Sequence, residues 1–192
     1  METAFAAVLP TDARRPLCEA LLRYADTHPE RAETAAEILR FVAETPDCFC
    51  RTQQRGHITG SAWLLNPAGD KALLTLHRNL KRWMQLGGHA DGEPNTLQTA
   101  LREATEESGI EGIRPLSEEI FDVDIHLIPA RPAKGEPAHY HYDIRYLMQA
   151  PHENFAISEE SDDLAWWTAG DITARSAELD EAVRRLARLW QR

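Results

Sequence analysis

Hydrophobic and polar positions divide the chain into a helical beginning, a β-rich middle interrupted by one helix, and a helical end. Over residues 11–28 Leu17, Leu21, Leu22 and Tyr24 form one apolar face at helical spacing, and Pro29 predicts the stop. Ala35, Ile38, Leu39, Phe41 and Val42 repeat the pattern over 31–45, ended by Pro46. β-branched and aromatic residues then predict a strand over 57–65, a turn over 66–70 and a returning strand over 71–75, together a hairpin. A basic patch at 77–82 leads into a short strand at 83–86 and a glycine pair, Gly87 and Gly88. The last strand covers 164–168. Asp171 and Thr173 cap a short turn, and Leu179, Val183, Leu186 and Leu189 give the buried side of a final helix ending near Gln191.

Two stretches between these alternate with period two. Over 118–128 Asp122, Asp124 and His126 share one face, with Phe121, Val123, Ile125 and Leu127 on the other. Over 139–148 His139, His141, Asp143 and Arg145 oppose Tyr140, Tyr142, Ile144 and Tyr146. Paired as antiparallel neighbours, they predict a ladder of histidines and aspartates on one sheet face.

The helix in the middle carries the sharpest chemical signal. Glu103, Glu106 and Glu107 stand at i, i+3 and i+4 and so project from one side, where like charges repel. Leu97, Ala100, Leu101 and Ala104 form an apolar stripe elsewhere on the helix, so it can pack with its glutamates on a side of their own. Three gathered carboxylates suit a hard, oxygen-ligated cation, Mg²⁺ or Mn²⁺. Gly109 is placed to end the helix, and the preceding glycine pair lets the backbone turn tightly and approach a ligand.

Residues 88–110 resemble the Nudix box, Gly-x5-Glu-x7-Arg-Glu-U-x-Glu-Glu-x-Gly-U with U a bulky aliphatic residue. Gly88, Arg102, Glu103, Glu106, Glu107, Gly109 and Ile110 match in register. Ala104 replaces the larger aliphatic residue, and Glu93 falls one position early, with Pro94 where the family's arginine-bracing glutamate stands. The resemblance implies an α/β/α sandwich with a mixed β-sheet over residues 51–192, preceded by an N-terminal helical hairpin extension over 1–50. It implies a metal-dependent hydrolase of a phosphoanhydride bond in a nucleoside diphosphate linked to another moiety: nucleotide sugar, ADP-ribose, dinucleotide or nucleoside triphosphate. The alternative is a non-catalytic Nudix-fold module that senses a nucleotide derivative. The family's isomerase branch ranks below both, since Cys48 and Cys50 precede the first strand.

The implied metal ligands are Glu103, Glu106, Glu107 and the Gly88 carbonyl. Glu106 and Glu107 also belong to the catalytic group, and Arg102 braces the carboxylates through bidentate hydrogen bonds. The resemblance also places an acidic loop before the last strand, and Glu160 there is the favoured base, ahead of Glu159 and Glu106, because a carboxylate outside the metal cluster keeps a freer lone pair. Substrate contacts are expected from Arg78 and Arg82 in the basic patch, from His89, and from His126, His139, His141 and Arg145 in the ladder. The ladder also reads as a plain solvated face, or as an extra transition-metal site on His126, His139 and His141, where imidazole suits zinc or manganese; His89 and Asp91 could join it. Trp63, Trp83, Tyr140 and Tyr142 are candidates for stacking on a base.

Composition narrows the partners. A formal charge of −10 over 192 residues disfavours nucleic-acid backbones, so a small phosphorylated substrate depends on metal and local basic groups. The 43% hydrophobic content contains no run of membrane-spanning length. Residues 1–9 lack the basic start of a secretory signal. Three cysteines, Cys18, Cys48 and Cys50, argue for buried thiols in a reducing cytoplasm rather than a disulfide framework. No catalytic set lies in the helical hairpin, which suits structural support or a homodimer contact better than a lid.

Overall fold

The computed structural model describes residues 9–132, 135–159 and 161–191. Both opening helices form where the apolar periodicity places them, α1 over Arg15–Thr27 and α2 over Ala32–Glu44. Their stripes, Leu17, Cys18, Leu21 and Tyr24 from α1 and Ala35, Ile38, Leu39, Phe41 and Val42 from α2, turn inward. There follow β1 (Gly56–Leu65), β2 (Lys71–His77), β3 (Arg82–Met84), β4 (Leu86–His89), α3 (Thr96–Ser108), β5 (Arg114–Pro115), β6 (Asp122–Ile128), β7 (His139–Gln149), β8 (Ser161–Thr168), α4 (Ala169–Ala174) and α5 (Glu181–Trp190).

The eight strands among the described residues join one mixed sheet. β1 runs parallel to β7 along its whole length, from Gly56↔Tyr140 to Leu65↔Gln149. β6 pairs antiparallel with β7 in the register that sets Asp122 opposite Arg145, Asp124 opposite Asp143 and His126 opposite His141. The expected ladder therefore exists, and β1 extends it with His57, Thr59 and Ser61 on the same face.

Two strand expectations need correction. The β1–β2 hairpin pairs only at Leu65↔Ala72; β2 then leaves to pair with β3 and β8. β4 takes the vacated edge of β1, from Thr59↔His89 to Ala62↔Leu86. Glycine makes this approach feasible: a Cβ at Gly87, which has φ +155, would sit 2.2 Å from Ser61 Oγ. The single strand expected at 83–86 is in fact two, β3 on β2 and β4 on β1, with buried Gln85 at the change of partner.

Helices cover both faces. α3 lies directly on β1 at Gly60, where a Cβ would meet the Thr96 carbonyl at 2.7 Å. On that side Ile58, Ala62, Leu64, Ile144 and Met148 share one core with α1, α2 and the Ala100 and Ala104 stripe of α3. Phe41 of α2 stacks on Tyr142 of β7 with ring centroids 4.0 Å apart, so the N-terminal hairpin is built into this layer. On the opposite face Trp63, Leu65, Leu74 and Trp167 pack against Val183, Leu186 and Ala187 of α5. Val183 and Leu186 together contribute about 3–6 kcal/mol there, enough to hold α5 down. The result is the expected α/β/α sandwich. No described helix is long and apolar enough to cross a membrane.

Candidate active site

α3 holds the carboxylates where the sandwich opens at β4. Asn95 caps the helix, its side chain accepting from the Leu97 and Gln98 amides, and Gly109 ends it in the left-handed conformation at φ 66. Glu103 presses its carboxylate against Gly88, where a Cβ would lie 2.4 Å from Glu103 Oε2, so any side chain there would displace the carboxylate. Glu107 is buried at 9% exposure and Glu106, one residue earlier, is exposed. Arg102 donates to the His89 carbonyl at 2.6 Å and to Glu103 Oε1 at 2.8 Å. That bond to Glu103 is also the chief reason the guanidinium is held above its ordinary pKa. The early glutamate has another use: Glu93 accepts from the Asn95 amide at 2.8 Å and shapes the entry to α3.

The ladder runs across the other face of the sheet and its two ends differ. At one end Arg145 donates to Asp143 at 2.7 Å and to Asp122 at 2.9 Å, and lies 3.2 Å from Asp124. Arg185 of α5 reaches Asp122 and Asp124 at 2.8 Å each, and Arg31 approaches both at 3.8–3.9 Å. Thr59, Ser61 and Gln85 also donate to Asp143. Burial pushes Asp124 upward, but the His126 hydrogen bond and the Arg145 and Arg185 charges outweigh it and hold the carboxyl well below its usual range. Burial likewise pulls Arg145 down, and Asp143, Asp124 and Asp122 more than reverse it. Arg145 is 1% exposed with its guanidinium taken up by carboxylates, which corrects its expected role as a substrate contact.

The other end is a packed group of imidazoles. His57, which heads β1, has ring centroids 4.8 Å from His141, 4.9 Å from His89 and 4.9 Å from His139; His126 lies 5.3 Å from His141. Desolvation is the leading cause that lowers His57, His89 (to about 4) and His141 (to about 2). At neutral pH these three rings carry lone pairs rather than charge. His89, His126, His139 and His141 were expected here; His57 was not. Its signal was its place at the head of β1, but the parallel partner that brings it onto the ladder is set by the sheet as a whole.

The remaining candidates divide. Arg78 donates to the Ser161 carbonyl at 3.1 Å and reaches Asp162 at 3.4 Å; Lys81 is paired with Asp162 at 2.5 Å; Arg82 is exposed. Trp63 and Tyr142 belong to the core and Trp83 packs on Trp167, which corrects their candidacy as stacking platforms; Tyr140 is 45% exposed. Glu159 is exposed, and Glu160 lies outside the described residues. Cys18 and Cys48 are buried free thiols, and Cys50 is a half-buried one.

A glutamate helix braced by an arginine and seated against glycine, inside an α/β/α sandwich, defines a class, and comparison places the chain in it. The NUDIX domain family model matches residues 56–189, and the chain belongs to the Nudix hydrolase family. It is 30% identical over 90 residues to a probable DHNTP pyrophosphohydrolase of Lactococcus lactis subsp. cremoris. That match covers 47% of this chain and 53% of the relative, so the chain spans about half the length of the curated protein it matches. Among solved structures it resembles a MutT NUDIX hydrolase from Burkholderia pseudomallei (TM-score 0.52, 20% identity, 70% of this chain and 97% of that one). It also resembles a C. elegans Ap4A hydrolase (TM-score 0.51, 18% identity, 70% and 94%) and the E. coli dihydroneopterin triphosphate pyrophosphohydrolase (TM-score 0.51, 16% identity, 68% and 91%). These structural likenesses concern the fold.

Proposed function

We propose that the protein is a divalent-metal-dependent pyrophosphohydrolase of a nucleoside diphosphate linked to another moiety. The observation that carries this is the cradle in which the Glu103 carboxylate sits directly against Gly88, on the helix that also presents Glu106 and Glu107. Its donors are oxygens alone, the set that suits Mg²⁺ or Mn²⁺. Glu103, Glu106, Glu107 and the Gly88 carbonyl would hold the ion, which supplies charge neutralisation for the diphosphate oxygens and a more acidic water. The relative named above, a probable DHNTP pyrophosphohydrolase, supports a small phosphorylated substrate.

The chain's own residues do the positioning. Arg102 ties the Glu103 carboxylate to the His89 carbonyl, so helix and β4 hold the cradle as one unit. Arg82, with Arg78 where Asp162 releases it, would meet phosphate oxygens from the basic turn, while His89, His126, His139 and His141 line the polar face. Glu160 is the proposed base, ahead of Glu159 and Glu106, since it stands outside the metal-binding set.

Turnover with Mg²⁺ or Mn²⁺ against ADP-ribose, nucleotide sugars, dinucleoside polyphosphates and nucleoside triphosphates tests the reading. Glu106→Gln alters an exposed side chain, so the fold tolerates it, and kcat should fall at least roughly 100-fold. Unchanged turnover in that variant would remove the site assignment. Tight nucleotide binding with no turnover under either metal would return the binding-module reading.

A further inference from the structure

We propose a second metal site, for Zn²⁺, formed by His57 of β1, His89 of β4 and His141 of β7 on the sheet face opposite the α3 packing layer. Its side chains lie across the sheet from the carboxylate cradle, joined to it through the β4 backbone where His89 follows Gly88, and the proposal does not depend on the hydrolase reading. The geometry is the first argument. One ligand atom from each of the three histidines lies within 4.8 Å of the others. A tetrahedral zinc with bonds of about 2.0–2.1 Å needs its nitrogens roughly 3.3 Å apart, a closure within reach of small ring movements.

Unmet hydrogen bonding is the second. Among the described residues the Nε2 of His141 is buried without a hydrogen-bond partner, and His57, 2% exposed, has only the approach of the Gln53 backbone and no well-aligned hydrogen bond at either nitrogen. A buried polar group left in this state costs about 1–3 kcal/mol, and one such group in a native core calls for an explanation. A borderline-soft cation binding neutral imidazoles supplies one for both residues.

The surrounding rings are set for the same purpose. His139 lies against the Pro137 carbonyl at 2.9 Å, which accepts from its Nδ1–H and leaves Nε2 as a lone pair. His126 stands 3.4 Å from Asp124, a carboxylate placed to orient its ring. His139, 4.9 Å from His57, is the nearest source of a fourth ligand; without it, water fills the position.

One contact opposes binding. Arg51 donates to His89 Nδ1 at 2.8 Å, which places the His89 proton on Nε2. Zinc therefore requires Arg51 to swing away, either freeing Nδ1 or letting it take the proton. Arg51 is exposed and retains Asp91 at 2.8 Å, so the movement is inexpensive.

The test is a zinc titration of EDTA-stripped full-length protein against a chromophoric chelator, with Co²⁺ as the spectroscopic probe. A single Zn²⁺ per chain should bind, and Co²⁺ should give the intense visible bands of a tetrahedral nitrogen site. His89→Gln and His141→Gln should each weaken Zn²⁺ by at least roughly 10–100-fold, whereas Arg51→Ala should strengthen it. Glu103→Gln with Glu106→Gln should leave it intact, which separates failure here from failure of the hydrolase reading. Absence of stoichiometric zinc, a weak octahedral Co²⁺ spectrum, or equal affinity in the histidine variants would overturn the proposal. If the histidine variants do not fold, the Co²⁺ spectrum and the Arg51→Ala shift in the otherwise native chain decide.

Discussion

The two ends of the polar ladder are built from the same alternation on the same pair of strands, yet they have opposite electrostatic fates. Around Asp122, Asp124 and Asp143 each carboxylate faces an arginine: Arg145 from within the ladder, Arg185 from α5 and Arg31 near the start of α2. Around His57 and His141 no ion pair reaches the rings among the described residues, and the Nε2 of His141 stays buried without a hydrogen bond. The difference teaches that period-two spacing assigns a face, while the element laid over that face determines whether its polar groups are paired. One end is closed by other parts of the chain. The other keeps buried imidazoles that no described residue pairs in the same way.

The largest effect should come from breaking the closed end. Arg145→Met fills similar space but strands three carboxylates that Arg185 and Arg31 cannot all satisfy. Removing one partner from a buried network costs about 3–5 kcal/mol, which for a chain of this size lowers Tm by on the order of 10 °C. Urea unfolding measures it. A loss below about 1 kcal/mol would mean that the network is no tighter than an exposed one.

Acid separates the two ends along the pH axis in metal-free protein. His57, His89 and His141 are held below their ordinary 6.5. As pH falls below 6.5 the unfolded chain takes up protons that the folded one refuses, so their contribution is complete above 6.5 and declines beneath it. The slope reaches about 1.4 kcal/mol per pH unit for each histidine that resists protonation. The nearest charges pull oppositely, Arg51 lowering and Asp91 raising both His57 and His89. Asp124, held below its ordinary 3.8, contributes fully above that value and loses its share only as pH falls through its folded-state value. Between roughly pH 4.5 and 6.5 the slope therefore belongs to the histidine end, and His141→Gln should reduce it by about one proton. A flat stability curve there in EDTA would erase the contrast.

Much of this was legible in the chain itself. The glutamate helix, its closing Gly109 and the alternating strands at 122–128 and 139–149 are local patterns, and local spacing predicts them. What escaped was nonlocal. Nothing near His57 announces that β1 will run parallel to β7 and bring its imidazole beside His141. Arg145 reads as a free cation until α5 and two other aspartates close around it. The displaced Glu93 looked like a missing brace for Arg102; the structure uses it at the α3 entry and gives Arg102 to Glu103.

The smallest effect probes the boundary between the ends. Thr59 pairs with His89 across β4, follows His57 on the same face, and donates to Asp143 Oδ1 at 2.9 Å. Thr59→Val keeps the branched shape and removes that one donor, while Ser61 still reaches the same oxygen at 2.8 Å and Arg145 the other at 2.7 Å. The expected loss is about 1 kcal/mol in urea, at the low end for a buried hydrogen bond because Asp143 remains paired. Zinc affinity should not change, since no histidine loses a partner. If Thr59→Val weakens Zn²⁺ as much as His89→Gln does, the two ends form one coupled network, and the separation argued from their pairing is wrong.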